Sequence, residues 1–184
     1  MRATETSGME GWQRCFIALA PDTATRDALA ALPVALSARR VPYDQLHLTV
    51  AFIGSLTLAQ GGALAAALAG RSVPLTPTRV LSIEHWPGAA RPRLTVATLA
   101  MSDEFATLDG AVRSLMVEQG LPVDARAFRP HITLARFGRD AAAVDHARQP
   151  PENLLASFES LILYSSTLAR HGARYQALAT TALR

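Results

Sequence analysis

One eight-residue pattern occurs twice in this chain, and no other feature restricts its fold as tightly. His47-Leu-Thr-Val-Ala-Phe-Ile-Gly54 and His131-Ile-Thr-Leu-Ala-Arg-Phe-Gly138 share His, Thr, Ala and Gly, keep apolar residues at the second and fourth positions, and start 84 residues apart in a chain of 184. A separation of a little under half the chain implies two similar halves. On a strand, residues i and i+2 share a face, so His47 and Thr49 project together while Leu48 and Val50 turn into a core. The second copy does the same with His131 and Thr133. Halves packed about a pseudo-two-fold axis then bring two imidazoles and two hydroxyls to one cleft.

That set of groups suits a phosphodiester. In-line hydrolysis needs a base for the attacking water and an acid for the departing oxygen, and imidazoles with an unperturbed pKa of about 6.5 supply both near neutrality. The threonine hydroxyls and a nearby arginine stabilise charge on the non-bridging oxygens. A single histidine on a half-exposed strand is ordinary surface; a repeated His-x-Thr-x on matching strands is not. His85, His146 and His171 have no such context.

The rest of the composition removes competing chemistries. All 18 basic residues are arginine, which excludes a lysine Schiff base, a P-loop lysine and the adenylated lysine of ATP-dependent nucleic-acid ligases. Cys15 is the only cysteine and no His-x-x-x-His occurs, so neither a disulfide nor a zinc site is expected. No Gly-x-Ser-x-Gly elbow is present, and Gly61-Gly62 does not build a phosphate loop. We therefore expect no metal and no cofactor. The net charge of +3 suits a phosphate-bearing partner without requiring one. Because genomic base composition alone can produce an arginine skew, only Arg129 and Arg136, which the second motif places, are read as functional.

With 49% hydrophobic and 18% charged residues, the chain is expected to bury a sizeable core. Residues 1–12 read as a loose tail and 13–184 as one bilobal domain. Strands are expected at residues 14–20, 46–53, 78–85, 94–100, 131–137, 158–164 and 175–182, those at 78–85 and 94–100 paired as a hairpin. Helices are expected at 22–38, 58–69 and 103–118, the last carrying Phe105, Leu108, Val112, Leu115 and Met116 at helical spacing. This is an α+β pattern. No membrane segment or signal-peptide core is visible, and a reducing, cytoplasmic setting is expected.

The motifs resemble those of the two-histidine phosphoesterase superfamily, and their setting resembles its RNA 2′,3′-cyclic phosphodiesterase branch, historically called 2′-5′ RNA ligases. The resemblance covers nearly the whole of residues 13–184. Besides the motifs, it rests on Arg14-Cys-Phe-Ile-Ala-Leu19, on Phe128-Arg-Pro-His-Ile-Thr-Leu-Ala-Arg136, and on Leu163-Tyr-Ser-Ser166 with Gly172-Ala-Arg-Tyr175. It implies two antiparallel sheets around a central cleft and hydrolysis of RNA 2′,3′-cyclic phosphate ends to 2′-phosphomonoesters, with His47 as acid and His131 as base. The alternatives are a cyclic phosphodiesterase of small nucleotides and an RNA-binding module without turnover. No obligate protein partner is implied.

The resemblance also makes Arg136 a phosphate ligand. Strand parity turns Arg136 away from the His131 face, so that role requires a twist or bulge after Thr133. Relatives often carry a tryptophan where this chain reads Arg93-Leu-Thr-Val-Ala97. A base-stacking platform is therefore expected to be missing, with Phe16, Tyr43 or Trp86 as substitutes and weak discrimination among terminal bases as the result.

Overall fold

The computed structural model describes residues 11–71, 73–170 and 172–183. The first ten residues of the expected tail, and His171, lie outside them. The strands are β1 (Gly11–Pro21), β2 (Arg39–Arg40), β3 (Leu48–Thr57), β4 (Thr78–Trp86), β5 (Leu94–Leu99), β6 (His131–Arg136), β7 (Leu155–Ala156), β8 (Phe158–Ala169) and β9 (Gly172–Ala182). The helices are α1 (Thr23–Ala31), α2 (Leu58–Leu68) and α3 (Asp103–Glu118). The order along the sheet is β7-β4-β5-β6-β3-β1-β8-β9, with β2 added on β6 and neighbours antiparallel.

The two halves meet at β3 and β6 through one backbone pair, Leu48 with Ile132. Each is the residue after a motif histidine, and both are fully buried. The pseudo-two-fold axis therefore passes between the two motifs. The side chains that alternate with the histidines and threonines, Leu48, Val50, Ile132 and Leu134, join one apolar core. Helix α3 adds Phe105, Leu108, Val112, Leu115 and Met116 to it, each worth about 1.5–3 kcal/mol on burial.

Local chemistry sets the helix ends. Ser102 caps α3, its Oγ accepting from the Phe105 N–H at 3.1 Å. Asp103 and Glu104 then occupy the first turn, where the helix dipole favours negative charge. Gly120, at φ +66, turns the chain out of the helix. Thr57 and Gln60 form a reciprocal capping box on α2. The helix expected at 22–38 is a correction: α1 stops at Ala31 because Leu32, held at φ −67, ψ 136, precedes Pro33, whose ring disfavours helical backbone there. Strand β1 starts at Gly11, with Trp12 half-buried against the core. No helix among the described residues is long and apolar enough to cross a membrane.

Candidate active site

Both motif histidines line a cleft of ≈1170 Å³, together with Thr49, Thr133 and Arg136. Each imidazole is held the same way. His47 Nδ1 donates to the Gln45 carbonyl at 2.7 Å and His131 Nδ1 to the Arg129 carbonyl at 2.6 Å, in both cases two residues back along the chain. A carbonyl only accepts, so the neutral rings carry their proton on Nδ1 and leave Nε2 for another partner. Continuing the antiparallel register one residue either side of Leu48 and Ile132 sets His47 across from Thr133 and Thr49 across from His131.

Arg136 reaches this face through a β-bulge. On β6, Thr133 pairs with Val96 while Ala135 pairs with the adjacent Thr95, so Leu134 is an extra residue. Leu134 and Ala135 are consecutively buried, and the alternation resumes with Arg136 on the side of His131 and Thr133. The bulge that the arginine's role requires is thus present. The first motif repeats it: Thr49 pairs with Ala18 and Ala51 with Ile17, leaving Val50 as the extra residue. Val50 and Leu134 hold the same position in the two motifs. A further register shift follows before Gly54, whose φ of +96 suits a residue without Cβ.

The surroundings of the two imidazoles differ. His47 packs against Phe16, ring centroids 5.1 Å apart, and edge-on to Tyr175 at 5.5 Å. Burial lowers its pKa below the usual 6.5, helped by the Arg136 and His131 charges, while the bond to Gln45 acts the other way. His131 lies 4.5 Å from the Trp86 ring, over which the Arg129 guanidinium sits at 4.3 Å. Burial again lowers its pKa most and Arg129 adds to this, against the bond to the Arg129 carbonyl. Trp86 Nε1 donates to Glu84 at 2.7 Å, and that bond, with one from Ser82, holds the Glu84 carboxyl below its ordinary range.

Of the proposed stacking residues, Phe16 and Trp86 line the cleft. Tyr43 does not; its hydroxyl is spent on Asp27 at 2.8 Å. In the Arg93–Ala97 segment, where a platform was expected to be missing, Thr95, Val96 and Ala97 are buried. His85 is tied at both ring nitrogens, to Thr95 Oγ1 and the Asp145 carbonyl, and His146 lines a separate cavity of ≈770 Å³ that shares Trp86, Leu94 and Arg129 with the cleft. Among the described residues, no three His, Cys, Asp or Glu side chains gather as a metal-holding group.

Two features escaped the sequence reading. Phe52, 69% exposed, lines the cleft; its signal was the alignment of the motifs, where it stands opposite Arg136. Besides Arg129 and Arg136, six further arginines of the chain's 18 line the cleft, against two aspartates. They come from positions as far apart as Arg14 and Arg170, and only the topology brings them together.

Comparison with known proteins agrees with the fold. No protein-family profile matches the chain. An RNA 2′,3′-cyclic phosphodiesterase of Escherichia coli is 31% identical over 146 residues, 79% of this chain and 80% of that protein. The crystal structure of E. coli LigT in apo form matches with a TM-score of 0.75 at 27% identity, covering 94% of this chain and 98% of that one. A structure of a Thermus thermophilus protein matches with a TM-score of 0.75 at 28% identity, covering 93% and 98%. E. coli LigT complexed with 3′-AMP matches with a TM-score of 0.72 at 27% identity, covering 94% and 98%.

Proposed function

This chain belongs to the two-histidine phosphoesterase superfamily, in its RNA 2′,3′-cyclic phosphodiesterase branch, and we propose that it opens the 2′,3′-cyclic phosphate at RNA ends to a 2′-phosphomonoester. The observation that carries the reading is the pair of imidazoles held by the same Nδ1 bond in one cleft. In this reading the phosphate sits between them. His131 Nε2 takes a proton from water as its oxygen attacks phosphorus. The P–O3′ bond breaks on the opposite side, and protonated His47 gives its Nε2 proton to O3′, leaving a 2′-phosphate and a free 3′-hydroxyl. Thr49, Thr133 and Arg136 hold the non-bridging oxygens. In support, the E. coli relative is named an RNA 2′,3′-cyclic phosphodiesterase, and LigT has been crystallised with 3′-AMP.

The test is turnover of an oligonucleotide ending in a 2′,3′-cyclic phosphate, in EDTA, with the product assigned by phosphorus NMR. Opening to the 2′-phosphate is expected without added cations; activity lost in EDTA and restored by a divalent cation would count against the mechanism. His47→Ala and His131→Ala should each slow turnover by about two to four orders of magnitude. A cyclic substrate with sulfur in place of O3′ leaves without protonation, so it should restore much of the rate to His47→Ala and none to His131→Ala. Rescue of His131→Ala instead reverses the order of the roles.

A further inference from the structure

Strand β4 places Ser82, Glu84 and Trp86 at alternate positions, so their side chains share one face. His131 occupies that face too: Ser82 pairs with Thr98 on β5, Thr98 pairs with His131 on β6, and directly paired residues project to the same side. A chain of hydrogen bonds runs along it. Thr98 Oγ1 lies 2.7 Å from Ser82 Oγ, Ser82 Oγ donates to Glu84 Oε1 at 2.8 Å, and Trp86 Nε1 donates to Glu84 Oε2 at 2.7 Å. The Trp86 ring lies 4.5 Å from that of His131, so the chain starts at the strand partner of His131 and ends on its imidazole. We propose that Glu84 is a positioning residue for the reaction, acting through Trp86 to hold the His131 imidazole in place.

Proton bookkeeping gives the chain one direction. A carboxylate only accepts, and Glu84 receives the single hydroxyl hydrogen of Ser82 and the single indole N–H of Trp86 on separate oxygens, which leaves Thr98 as the donor to Ser82. An indole that can turn about two side-chain bonds is thereby fixed at its far end. The two histidines differ in how much they need such a hold. His47 is packed by two rings, Phe16 from β1 and Tyr175 from β9. His131, among the described residues, has a ring contact with Trp86 alone. Its Nδ1 bond to the Arg129 carbonyl fixes one corner of the imidazole and leaves the ring free to swing about it, and Nε2 is on the far side. The inference rests on the proposed reaction: if His131 Nε2 takes the proton of the attacking water, a misplacement of about 1 Å costs about a hundredfold in rate.

The test compares Glu84→Ala, Glu84→Gln and Trp86→Phe with the unaltered protein on a nucleoside 2′,3′-cyclic phosphate and on its analogue with sulfur in place of O3′. Glu84 is partly exposed, so its replacement leaves the core intact. In Glu84→Ala, kcat should fall about ten- to hundredfold. KM should be no higher, because the Arg129 charge acts on this carboxylate and losing it does not weaken the attraction for a phosphate. Glu84→Gln keeps an acceptor for the indole N–H and should recover most of the rate. Trp86→Phe keeps a ring, loses the donor and should match Glu84→Ala, with the double variant no slower than either. The loss should persist on the sulfur substrate, which bypasses His47 and still needs the base. A readout apart from turnover is the ring-proton NMR signal of His131, assigned by its disappearance in His131→Ala. The Trp86 ring current displaces it, so it should move toward its ordinary position in Glu84→Ala and stay in Glu84→Gln. A raised KM with kcat unchanged, rescue by the sulfur substrate, or an unmoved His131 signal in Glu84→Ala overturns the positioning role while leaving the proposed reaction standing. If the unaltered protein opens no cyclic phosphate, the reaction falls and the positioning role with it.

Discussion

At the residue scale, the two histidines have the same local bond and different neighbours. Both pKa values are lowered, chiefly by burial, with arginine charge adding to the effect. Lowering favours the neutral ring, so in the free protein at pH 7 the required state with one proton on the pair is a minority. That state is most populated midway between the two macroscopic ionisations, and both lie below about 6.5. The profile of kcat/KM against pH, which reports the free protein, should therefore be bell-shaped with its maximum on the acid side of 6.5. A bound phosphodiester anion stabilises the charged imidazole and offsets the arginines, so the maximum of kcat should lie at higher pH than that of kcat/KM. Initial rates over pH 4.5–9 at low and saturating substrate measure both. A kcat/KM maximum above pH 7 would contradict the lowered values.

At the scale of elements, the bulges decide what the motifs present. Strict alternation along β6 sends Arg136 to the core side; the extra Leu134 brings it to the cleft. If so, Arg136→Ala should reduce kcat/KM by about 10²–10³, the usual cost of one donor to developing charge, and Arg136→Lys should recover only part because a point charge replaces a two-pronged donor. A rate unchanged in Arg136→Ala would mean the side chain does not reach the phosphate. The bulge also shows why the site was only partly legible in the sequence. His47, Thr49, His131 and Thr133 follow from the repeat and a period of two. Arg136 and Phe52 lie beyond the bulge, where that count fails. The core-facing spacing of α3 reads directly, with the helix found at Asp103–Glu118 as expected. The end of α1 was readable from Pro33, but alanine-rich sequence on both sides masked it. Strands β2 and β7 have two residues each, too few to show any period.

At the scale of the whole molecule, a net charge of +3 understates the field a substrate meets. Eight arginines and two aspartates line the cleft, and Asp109 and Asp124 are paired to Arg113 and Arg126 there. The excess positive charge in the cleft therefore extends beyond the two motifs, since Arg14 on β1 and Arg170 after β8 also line it. Such a surface should act on the strand as a whole, attracting each further phosphate in proportion to the counterions released. A nucleoside 2′,3′-cyclic phosphate and an oligonucleotide of six or more residues with the same end separate the two contributions. With added salt, kcat/KM for the oligonucleotide should fall more steeply, by about 0.7 in the log–log slope for each additional phosphate that the arginines neutralise. The value of kcat, measured with the cleft filled, should respond far less. Alanine in place of Arg170, an exposed cleft-lining side chain outside the motifs, should flatten the oligonucleotide slope and leave the mononucleotide rate as it was. Equal slopes for the two substrates would confine the useful charge to the reacting phosphate and make the outlying arginines bystanders.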